Sequence, residues 1–463
     1  MIGATGWLHE ATIRADLRRA RLDAGDPARL EDVLAKARTL AGLAPAEAAL
    51  LCAADDPESR ARIHAAAGEV KQAVYGRRLV LFTPLYVSNL CANDCAYCAF
   101  RAGNHGIVRR ALDADEIRAE TAALVDEGHR RILLVAGEAY PREGFDYVLN
   151  AIDAVYSVTR EKGAVRRVNV NVAPLETEDF RRLRDRRIGT YQIFQETYDR
   201  SVYAHVHRRG RKRDFDWRLA AMDRAMTAGV DDVGVGVLFG LADWRFEVLA
   251  LLQHARHLEA AFGVGPHTVS VPRLEPATGS DLASHPPHAV SDDDFKTLVA
   301  VLRLAVPWTG IIMSTRETAR IRRETFALGV SQISAGSRTS PGGYTSGDAE
   351  PQFSLGDHRP LDEVVRDVAS LGYIPSFCTG CYRLGRTGAD FMDLARPGLI
   401  REHCDPNGLT SFLEYLQDHA SSETRSVGEA RIAAELAAMD PERRRRAASM
   451  LDRVRAGRRD VYC

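Results

Sequence analysis

The stretch Leu79-Val-Leu-Phe-Thr-Pro-Leu-Tyr-Val-Ser-Asn-Leu-Cys-Ala-Asn-Asp-Cys-Ala-Tyr-Cys-Ala-Phe100 joins an apolar run to three closely spaced cysteines. The run is typical of a buried strand, which would deliver Cys91, Cys95 and Cys98 on the loop that follows it. Three thiolates can bind three irons of a [4Fe–4S] cluster and leave the fourth iron open to a small molecule. Zinc is the alternative, but structural zinc prefers four protein ligands, and His105 is the nearby candidate for the fourth.

The spacing CX3CX2C, with Tyr97 just before the last cysteine, resembles the signature of radical S-adenosylmethionine (SAM) enzymes. In that chemistry the sulfonium of SAM lies beside the cluster and accepts one electron. SAM then breaks into methionine and a 5′-deoxyadenosyl radical, which abstracts hydrogen from a substrate. The resemblance therefore implies a [4Fe–4S] cluster and SAM as cofactors at this loop.

A second set of cysteines lies near the other end of the chain. Cys378, Cys381 and Cys404 have the spacing CX2CX22C, which again offers three thiolates for a cluster. A zinc knuckle completed by His403 or His358 remains open as an alternative. Only two further cysteines are present, so no disulfide framework is implied and a reducing compartment is expected.

Composition argues against nucleic acid or a membrane as a partner. The 62 Lys and Arg residues nearly balance the 63 Asp and Glu residues, so the net charge of −1 creates no general attraction for polyanions. The N-terminal residues show no signal-peptide core, and no apolar run approaches the ~18 residues of a membrane span. We expect a soluble, cytoplasmic protein. Two basic stretches stand out, the loop His207–Asp214, which could contact an anionic ligand or lie in water, and the segment Asp440–Ala447.

The period of the apolar residues predicts an α/β fold. Residues 10–75 have a helical pattern, and from Leu79 short apolar runs alternate with longer amphipathic ones. The capping box Asp113–Glu116 would open one of these helices and Gly128 would close it. Eight such units match a (β/α)8 TIM-type barrel. The predicted strands are Leu79–Tyr86, Arg131–Ala136, Arg166–Val172, Thr190–Phe194, Asp232–Leu238, His267–Pro272, Thr309–Met313 and Gln332–Ala335.

We therefore predict three regions. A helical N-terminal extension covers residues 1–75, the barrel covers residues 76–345, and a helical C-terminal iron–sulfur module covers residues 346–463. Catalytic residues of such barrels lie at the C-terminal ends of the strands. The predicted cofactor-binding residues there are Tyr97, Ala136, Gly137, Glu138, Asn171, Gln195 and Glu196, and the predicted catalytic residues are Arg316, Ser337 and Arg338.

Four of these residues have a specific expected use. Gly137 would let the backbone approach a ligand closely, and the Glu138 carboxylate could bind the ammonium of a cluster-bound methionine moiety. Arg316 and Arg338 could each bind the carboxylate of an amino-acid substrate. Each residue taken alone could equally be an ordinary strand-end residue.

Several segments resemble the HydG family, the radical SAM tyrosine lyases that mature [FeFe]-hydrogenase. The resemblance extends from about residue 70 to about residue 420 and is carried by Gly128–Tyr140, Phe194–Tyr198, Pro266–Arg273 and Ser334–Tyr344. The thiamine-pathway tyrosine lyases share the barrel segments. The second cysteine motif, followed by Pro406-Asn407, is the feature that points to HydG.

This resemblance implies a reaction in two stages. Tyrosine would be cleaved to p-cresol and dehydroglycine at the first cluster, and the fragment would become carbon monoxide and cyanide at a second [4Fe–4S] cluster carrying an extra iron. In the family a histidine in the segment that corresponds to Pro266–Arg273 ligates the extra iron, and His267 occupies that position. Flavodoxin or ferredoxin as reductant and hydrogenase maturation proteins are the implied partners. The alternatives are a lyase that stops at dehydroglycine for thiamine thiazole synthesis and a zinc-stabilised binding protein.

Strand direction adds an expectation about where the two stages occur. His267 starts its strand and should face the N-terminal mouth of the barrel, opposite the first cysteine loop. Strands of about six residues separate the mouths by ~20 Å. A fragment passing between them would need a tunnel through the barrel, whose interior is normally filled.

Overall fold

The computed structural model of the chain describes residues 5–23, 25–347 and 350–463. Residues 1–4 and 24, in the predicted N-terminal extension, and residues 348–349, in the predicted C-terminal module, lie outside the described residues.

The strands are short and mostly buried, as is usual where helices cover a parallel sheet. In chain order they are β1 (Arg78–Ser88), β2 (Arg131–Ala136), β3 (Thr159–Arg160), β4 (Gly163–Ala164), β5 (Arg167–Asn171), β6 (Tyr191–Gln192), β7 (Val233–Gly236), β8 (Thr268–Ser270), β9 (Gly310–Met313), β10 (Gln332–Ser334) and β11 (Ile374–Ser376).

Eight of these strands form a closed parallel barrel within the described residues. They follow one another in the order β10-β9-β8-β7-β6-β5-β2-β1, and β10 pairs with β1 to close the sheet. The closing pair sets Val80 opposite Gln332 and Phe82 opposite Ser334. From Thr83 onward β1 pairs with β2. The predicted (β/α)8 fold is confirmed, and each predicted strand is present within a few residues of its predicted bounds.

The sequence pattern does not predict β3, β4 and β11. β3 and β4 form a small antiparallel hairpin. β11 pairs in parallel with Arg78, Leu79 and Val80 of β1, at the N-terminal mouth of the barrel. It has three residues and contains Pro375, so its strand signal is weak and its conformation depends on docking against β1. Because β11 leads directly to Cys378, this pairing ties the second cysteine motif to the barrel.

Helices surround the barrel and continue on both sides of it in the chain. In order they are α1 (Glu10–Asp23), α2 (Pro27–Arg38), α3 (Pro45–Ala53), α4 (Pro57–Tyr75), α5 (Ala114–Glu127), α6 (Asp146–Ser157), α7 (Thr177–Asp185), α8 (Arg200–Val206), α9 (Phe215–Leu219), α10 (Ala221–Thr227), α11 (Trp244–Phe262), α12 (Asp281–Ser284), α13 (Asp292–Ala305), α14 (Ala319–Phe326), α15 (Leu361–Ser370), α16 (Gly380–Arg383), α17 (Gly388–Ala395), α18 (Arg401–Asp418), α19 (Ser422–Ala438) and α20 (Pro441–Arg455).

Local sequence explains where helices start and stop. The capping box predicted for α5 is present, because Asp113 accepts from the backbone N–H of Glu116 and the Glu116 carboxylate accepts from Asp113 N–H. Gly128 ends α5 in the left-handed region, with φ of 109°. A Cβ at Gly128 would lie 2.6 Å from Cε2 of Tyr415 in α18. Because it lacks a side chain, Gly128 both ends α5 and allows Tyr415 of α18 to pack closely against it. Within the described ranges, no helix is both long enough and apolar enough to cross a membrane.

A buried ion pair ties the segment after the barrel back to it. The Arg322 guanidinium of α14 donates to Asp357 and to the carbonyl oxygen of Ser334 at the end of β10. Arg359 also pairs with Asp357 at 2.8 Å. Since Arg322 is fully buried, removing its counter-charge would leave an uncompensated cation in the protein interior.

We therefore expect Asp357→Ala to lower the free energy of unfolding by about 3–5 kcal/mol, measured as a shift in the urea midpoint. The matched control is Asp126→Ala, which removes an exposed pair with Arg160. That change should leave the midpoint nearly unaltered, because exposed pairs contribute little. Equal shifts in the two variants would contradict the importance given to the buried pair.

Candidate active site at the two ends of the barrel

The first cysteine loop follows β1 and is held in shape by one arginine. The guanidinium of Arg109 donates to the carbonyl oxygens of Asn89 (2.9 Å), Phe100 (2.7 Å), Arg101 (2.6 Å) and Asn104 (3.1 Å). These carbonyls flank the three cysteines on both sides. One side chain therefore satisfies four backbone acceptors of a loop that has little regular secondary structure.

Cys91, Cys95 and Cys98 line one cavity at the C-terminal mouth of the barrel. The cavity encloses about 1350 Å³, counting the part open to solvent. All three thiols are free. Burial raises the pKa of Cys91 to about 11 and also raises the pKa of Cys95 and Cys98. Thiols buried in this way ionise only beside a cation, so the donor set fits an iron–sulfur cluster, whose irons supply that charge.

One of these thiols accepts a hydrogen bond from the segment that follows the barrel. The Gln352 amide donates to the Cys98 sulfur at 3.5 Å, and its oxygen accepts from the Tyr86 hydroxyl at 2.8 Å. Tyr86 lies on β1 and also lines the cavity. The barrel thus orients the glutamine that contacts the thiol.

Gly137 lines the same cavity, and its lack of a side chain is also required for packing against the first cysteine loop. A Cβ at this position would lie 2.2 Å from the carbonyl oxygen of Leu90, and Gly137 N–H donates to Ser88 O at 2.9 Å. This glycine therefore permits a close approach to the backbone of the first cysteine loop. This packing brings Glu138 and Ala136 to the cavity wall.

The Glu138 carboxylate is already held by two partners. Its oxygens accept from Asn93 Nδ2 at 2.7 Å and from Arg218 Nη1 at 2.9 Å. Burial opposes ionisation, but the charges of Arg218 and Lys212 hold the pKa of Glu138 below its usual value. Glu138 is consequently a fixed anion on the wall of the cavity that contains the cysteines.

A second glutamate completes this buried network. Glu196 Oε1 lies 2.6 Å from Lys212 Nζ and 3.5 Å from Arg218 Nη2. Its backbone has φ of 71°, in the left-handed region that residues other than glycine seldom adopt. Strain of this kind persists where surrounding contacts determine the conformation, and it occurs often at functional sites.

Of the other predicted cofactor-binding residues, two line the cavity and one does not. Tyr97 and Asn171 line the cavity. The Tyr97 hydroxyl is 2.8 Å from Nε2 of His207, which orients its ring beside the cysteines. Gln195 is buried but does not line the cavity, and its amide nitrogen has no partner among the described residues.

Of the predicted catalytic residues, Arg316 and Ser337 line the cavity and Arg338 does not. The Arg316 guanidinium stacks 3.3 Å from the centre of the Phe353 ring and has no ion-pair partner within the described residues. Ser337 is buried, and its hydroxyl has no hydrogen-bond partner among the residues that the structure describes. Arg338 is exposed and donates to the carbonyl oxygen of Ser337 at 3.1 Å. The expectation that Arg338 faces the substrate cavity is therefore wrong, because the chain turns outward at that residue.

The second cysteine motif lines a separate cavity of about 590 Å³ at the N-terminal mouth of the barrel. Cys378, Cys381 and Cys404 all reach it, from the loop after β11, from α16 and from α18. Gly380 N–H donates to the Cys378 sulfur at 3.2 Å. Burial raises the pKa of Cys378. The three thiols are free, and this donor set too fits an iron–sulfur cluster.

His267 lines the same cavity, just before β8. Its Nδ1 lies 3.5 Å from Asp232 Oδ1, and its ring packs edge-on against Phe391 at 4.6 Å. Nδ1 is buried and has no hydrogen-bond partner among the described residues, so His267 brings to the cavity a ring nitrogen free of hydrogen bonds, with a carboxylate near enough to orient the imidazole as a metal ligand would require. The structure thus brings His267 together with the second cysteine motif, at the mouth where strand direction predicts it.

The histidines considered as fourth zinc ligands lie elsewhere. His105, His358 and His403 line neither cavity. Across the described residues, no three His, Cys, Asp or Glu side chains converge as ligands of a single metal ion. A cluster instead takes each thiolate on a different iron.

The two cavities have no lining residue in common. The cavity at the C-terminal mouth is called here the upper cavity, and the one at the N-terminal mouth the lower cavity. Val80 of β1 lines the lower cavity and Phe82 lines the upper one. Phe82 packs with Leu133 and Ile312 as a small apolar cluster at the floor of the upper cavity. A fragment moving between the two mouths would have to pass these three side chains.

Sequence reasoning missed the residues that hold the site together. Arg109 and Gln352 carry no motif. Asn93 lies within the first cysteine loop, Lys212 lies in the basic loop, and Arg218 follows it in α9. A buried cation is indistinguishable in sequence from a solvated one. The one available signal was the dense charge of the basic loop so close in sequence to Glu196.

Comparison with known families and structures agrees with this geometry. Residues 85–252 match the family model "Radical SAM superfamily", and residues 270–374 match "Biotin and Thiamin Synthesis associated domain". A 2-iminoacetate synthase of Escherichia coli K12 is 34% identical over 314 residues, covering 67% of this chain and 81% of the relative.

Two solved structures cover nearly the whole chain. A crystal structure of HydG, described as a maturase of the [FeFe]-hydrogenase, matches with a TM-score of 0.95 and 43% identity, covering 99% of this chain and 100% of the other. HydG from Carboxydothermus hydrogenoformans matches with a TM-score of 0.83 and 39% identity, covering 95% and 98%. The chain therefore belongs to the HydG family of radical SAM enzymes, which use a [4Fe–4S] cluster and SAM.

Proposed function

We propose that this enzyme cleaves L-tyrosine to p-cresol and dehydroglycine at the first cavity and converts the fragment to carbon monoxide and cyanide at the second. The products would serve assembly of the H-cluster of an [FeFe]-hydrogenase. The observation that carries this proposal is that Cys378, Cys381, Cys404 and His267 line one cavity, at the end of the barrel opposite the first cysteine loop. The names of the similar proteins, 2-iminoacetate synthase and HydG, support it.

In the first stage the residues of the chain bind and orient. Cys91, Cys95 and Cys98 would hold the first cluster, and SAM bound beside it supplies a radical that removes hydrogen from the substrate. The Glu138 anion, fixed by Arg218, is available to the ammonium of SAM. Both of its present hydrogen bonds restrict rotation, so little side-chain entropy is lost on binding.

Glu138→Gln tests this contact. We expect the Kd for SAM to rise at least about tenfold, because a charge-assisted hydrogen bond is worth roughly 1.5–3 kcal/mol. Cluster content should be unchanged in anaerobically reconstituted protein, with binding measured by calorimetry. The matched control is Glu176→Gln, an exposed glutamate paired with Arg211. Wild-type SAM affinity in Glu138→Gln would show that the ammonium binds elsewhere.

Arg316 is the anchor we assign to the carboxylate of tyrosine. Its guanidinium lines the cavity that contains the cysteines, is held against Phe353, and lacks a carboxylate partner within the described part of the chain. Burial lowers the pKa of Arg316, which indicates a poorly hydrated cation. An incoming carboxylate would supply the missing charge and would be oriented by the guanidinium fork.

Arg316→Ala should raise the tyrosine KM for p-cresol formation at least about tenfold while SAM binding changes little, since a desolvated charge pair is worth about 2–5 kcal/mol. Arg338→Ala is the matched control, because Arg338 is exposed outside the cavity. Its tyrosine dependence should remain that of the wild type. The anchor assignment fails if Arg316→Ala also keeps wild-type dependence.

For the second stage, we propose a [4Fe–4S] cluster with an extra iron held at His267. The surroundings of the cavity are cationic, with Arg78 and Arg131 on its wall. Arg131 donates to the carbonyl oxygen of Cys378 at 2.9 Å and so positions the loop that carries the thiol. Dehydroglycine is an anion, and it would reach this cavity when the side chains at the floor of the upper cavity move aside.

Replacing Cys378 and Cys381 together by Ser should leave p-cresol formation nearly intact and abolish carbon monoxide, because the tyrosine site lies at the other mouth. Both products are measured in one reaction, with haem trapping of carbon monoxide. His267→Ala should be milder, since water can replace a lost imidazole at iron. As the matched control, replacing Cys91, Cys95 and Cys98 by Ala should abolish both products.

The same assay separates the competing function. A 2-iminoacetate synthase serving thiamine thiazole formation would make p-cresol and no carbon monoxide even as wild type. Unchanged carbon monoxide in the Cys378 and Cys381 double variant would remove the second cluster from the proposal. Equal loss of both products would assign these cysteines to folding or to tyrosine cleavage.

A further inference from the structure

The basic loop His207–Asp214 presents three arginines to solvent without counter-charges. Arg208, Arg209 and Arg213 are exposed, and none has an ion-pair partner among the described residues. Their neighbour Arg211 is different, because it pairs with Glu176 at 3.0 Å and stacks on a tryptophan ring. The three unpaired arginines are called here the loop patch.

The loop patch is bonded directly to the first cysteine loop. Residues Cys95 and His207 form an antiparallel bridge. Asp94 N–H donates to the carbonyl oxygen of Arg209, and Arg208 N–H donates to that of Asp94, both at 3.1 Å. Two of the three arginines therefore exchange backbone hydrogen bonds with the residue that immediately precedes Cys95.

Gly210 brings the two loops into still closer contact. Its φ is 82°, and a Cβ there would lie 2.2 Å from Asn93 Oδ1. Lys212 N–H donates to the same oxygen at 3.0 Å, while the Lys212 side chain turns inward to Glu196. The loop thus directs one cation into the active site and exposes three to solvent, on a backbone that is bonded to the first cysteine loop.

Acidic side chains around the loop patch are engaged elsewhere. Asp94 pairs with Arg101 at 3.3 Å. Asp214 caps α9 by accepting from Trp217 N–H at 2.9 Å. Since the whole chain carries a net charge of only −1, the loop patch is a local positive surface on a nearly neutral protein. Such a surface can select an acidic partner at one place.

We infer that Arg208, Arg209 and Arg213 form the docking surface for an acidic one-electron carrier protein that reduces the first cluster. The carrier loses one electron and the cluster gains it, with no bond made to the protein. Electronic coupling falls steeply with distance, so a donor must dock where the backbone of the cysteine loop is nearest the surface. The inference rests on the radical SAM chemistry of the first cavity and does not depend on the second cavity.

The test uses the full-length, reconstituted enzyme with Arg208, Arg209 and Arg213 all replaced by Glu. Flavodoxin, reduced and oxidised, is the probe. We expect the Kd for flavodoxin to rise at least about tenfold at low salt and the salt dependence of binding to flatten. The reason is that the variant loses the long-range attraction between the arginines and an acidic partner, which is the part of binding that salt screens. Flavodoxin-driven 5′-deoxyadenosine formation should fall by a similar factor. Dithionite-driven formation should stay within about twofold of the wild type.

A matched control carries the same change of charge elsewhere. Arg445, Arg453 and Arg458 are also exposed and unpaired within the described residues, and they lie on or just after α20, which packs against α18. Their triple replacement by Glu should leave flavodoxin binding unchanged. Loss of binding in this control equal to that in the loop variant would overturn the assignment of the surface.

Two other results would also overturn the inference. One is wild-type flavodoxin affinity in the loop variant. The other is that the wild type binds a single-stranded RNA oligonucleotide more tightly than it binds flavodoxin at the same ionic strength, and that the loop variant loses this RNA binding. That result would make the loop patch a nucleic-acid surface. A failure of the radical SAM chemistry itself is distinguishable, because it would remove dithionite-driven 5′-deoxyadenosine formation from the wild type as well.

Discussion

The pairing of β1 with three neighbours is the constraint on which both ends of the enzyme depend. Along its length β1 closes the barrel against β10, continues against β2 and receives β11 at its lower end. Its C-terminal end delivers the first cysteine loop, and its N-terminal end anchors the strand that leads to Cys378. Val80 and Phe82 face the two cavities in turn. One strand therefore determines the separation and the orientation of two sites that belong to different regions of the chain.

Buried charge organises the upper site. Glu138 and Glu196 share Arg218, and Lys212 balances the second carboxylate. Removing such groups from water costs several kcal/mol per ion, and it is offset only when every charge has a partner. The network is consequently stiff. It also contacts both loops that border the cysteines, since Asn93 bonds Glu138 while accepting from Lys212.

Much of the fold was predictable from short segments. The eight barrel strands and the cap of α5 follow from apolar period and from local hydrogen bonding, which depend on few neighbours in the chain. β11 was not predictable, because three residues that include Pro375 form a strand only when β1 offers an open edge. Arg338 was misplaced for a related reason, since the direction of a chain beyond the end of a strand depends on what it packs against.

The sequence by itself determined the ligand chemistry, because the spacing of Cys91, Cys95 and Cys98 depends only on local chain length and thiolate chemistry. It also placed His267 at the start of a strand, and strand direction then assigns it to one mouth. Only the tertiary structure decided which cations are buried, that Gly137 packs on Leu90 and that the backbone of Arg209 is bonded to that of Asp94 beside Cys95. Those outcomes depend on contacts between residues far apart in the chain. Such residues lose their contact with water only when the barrel is assembled.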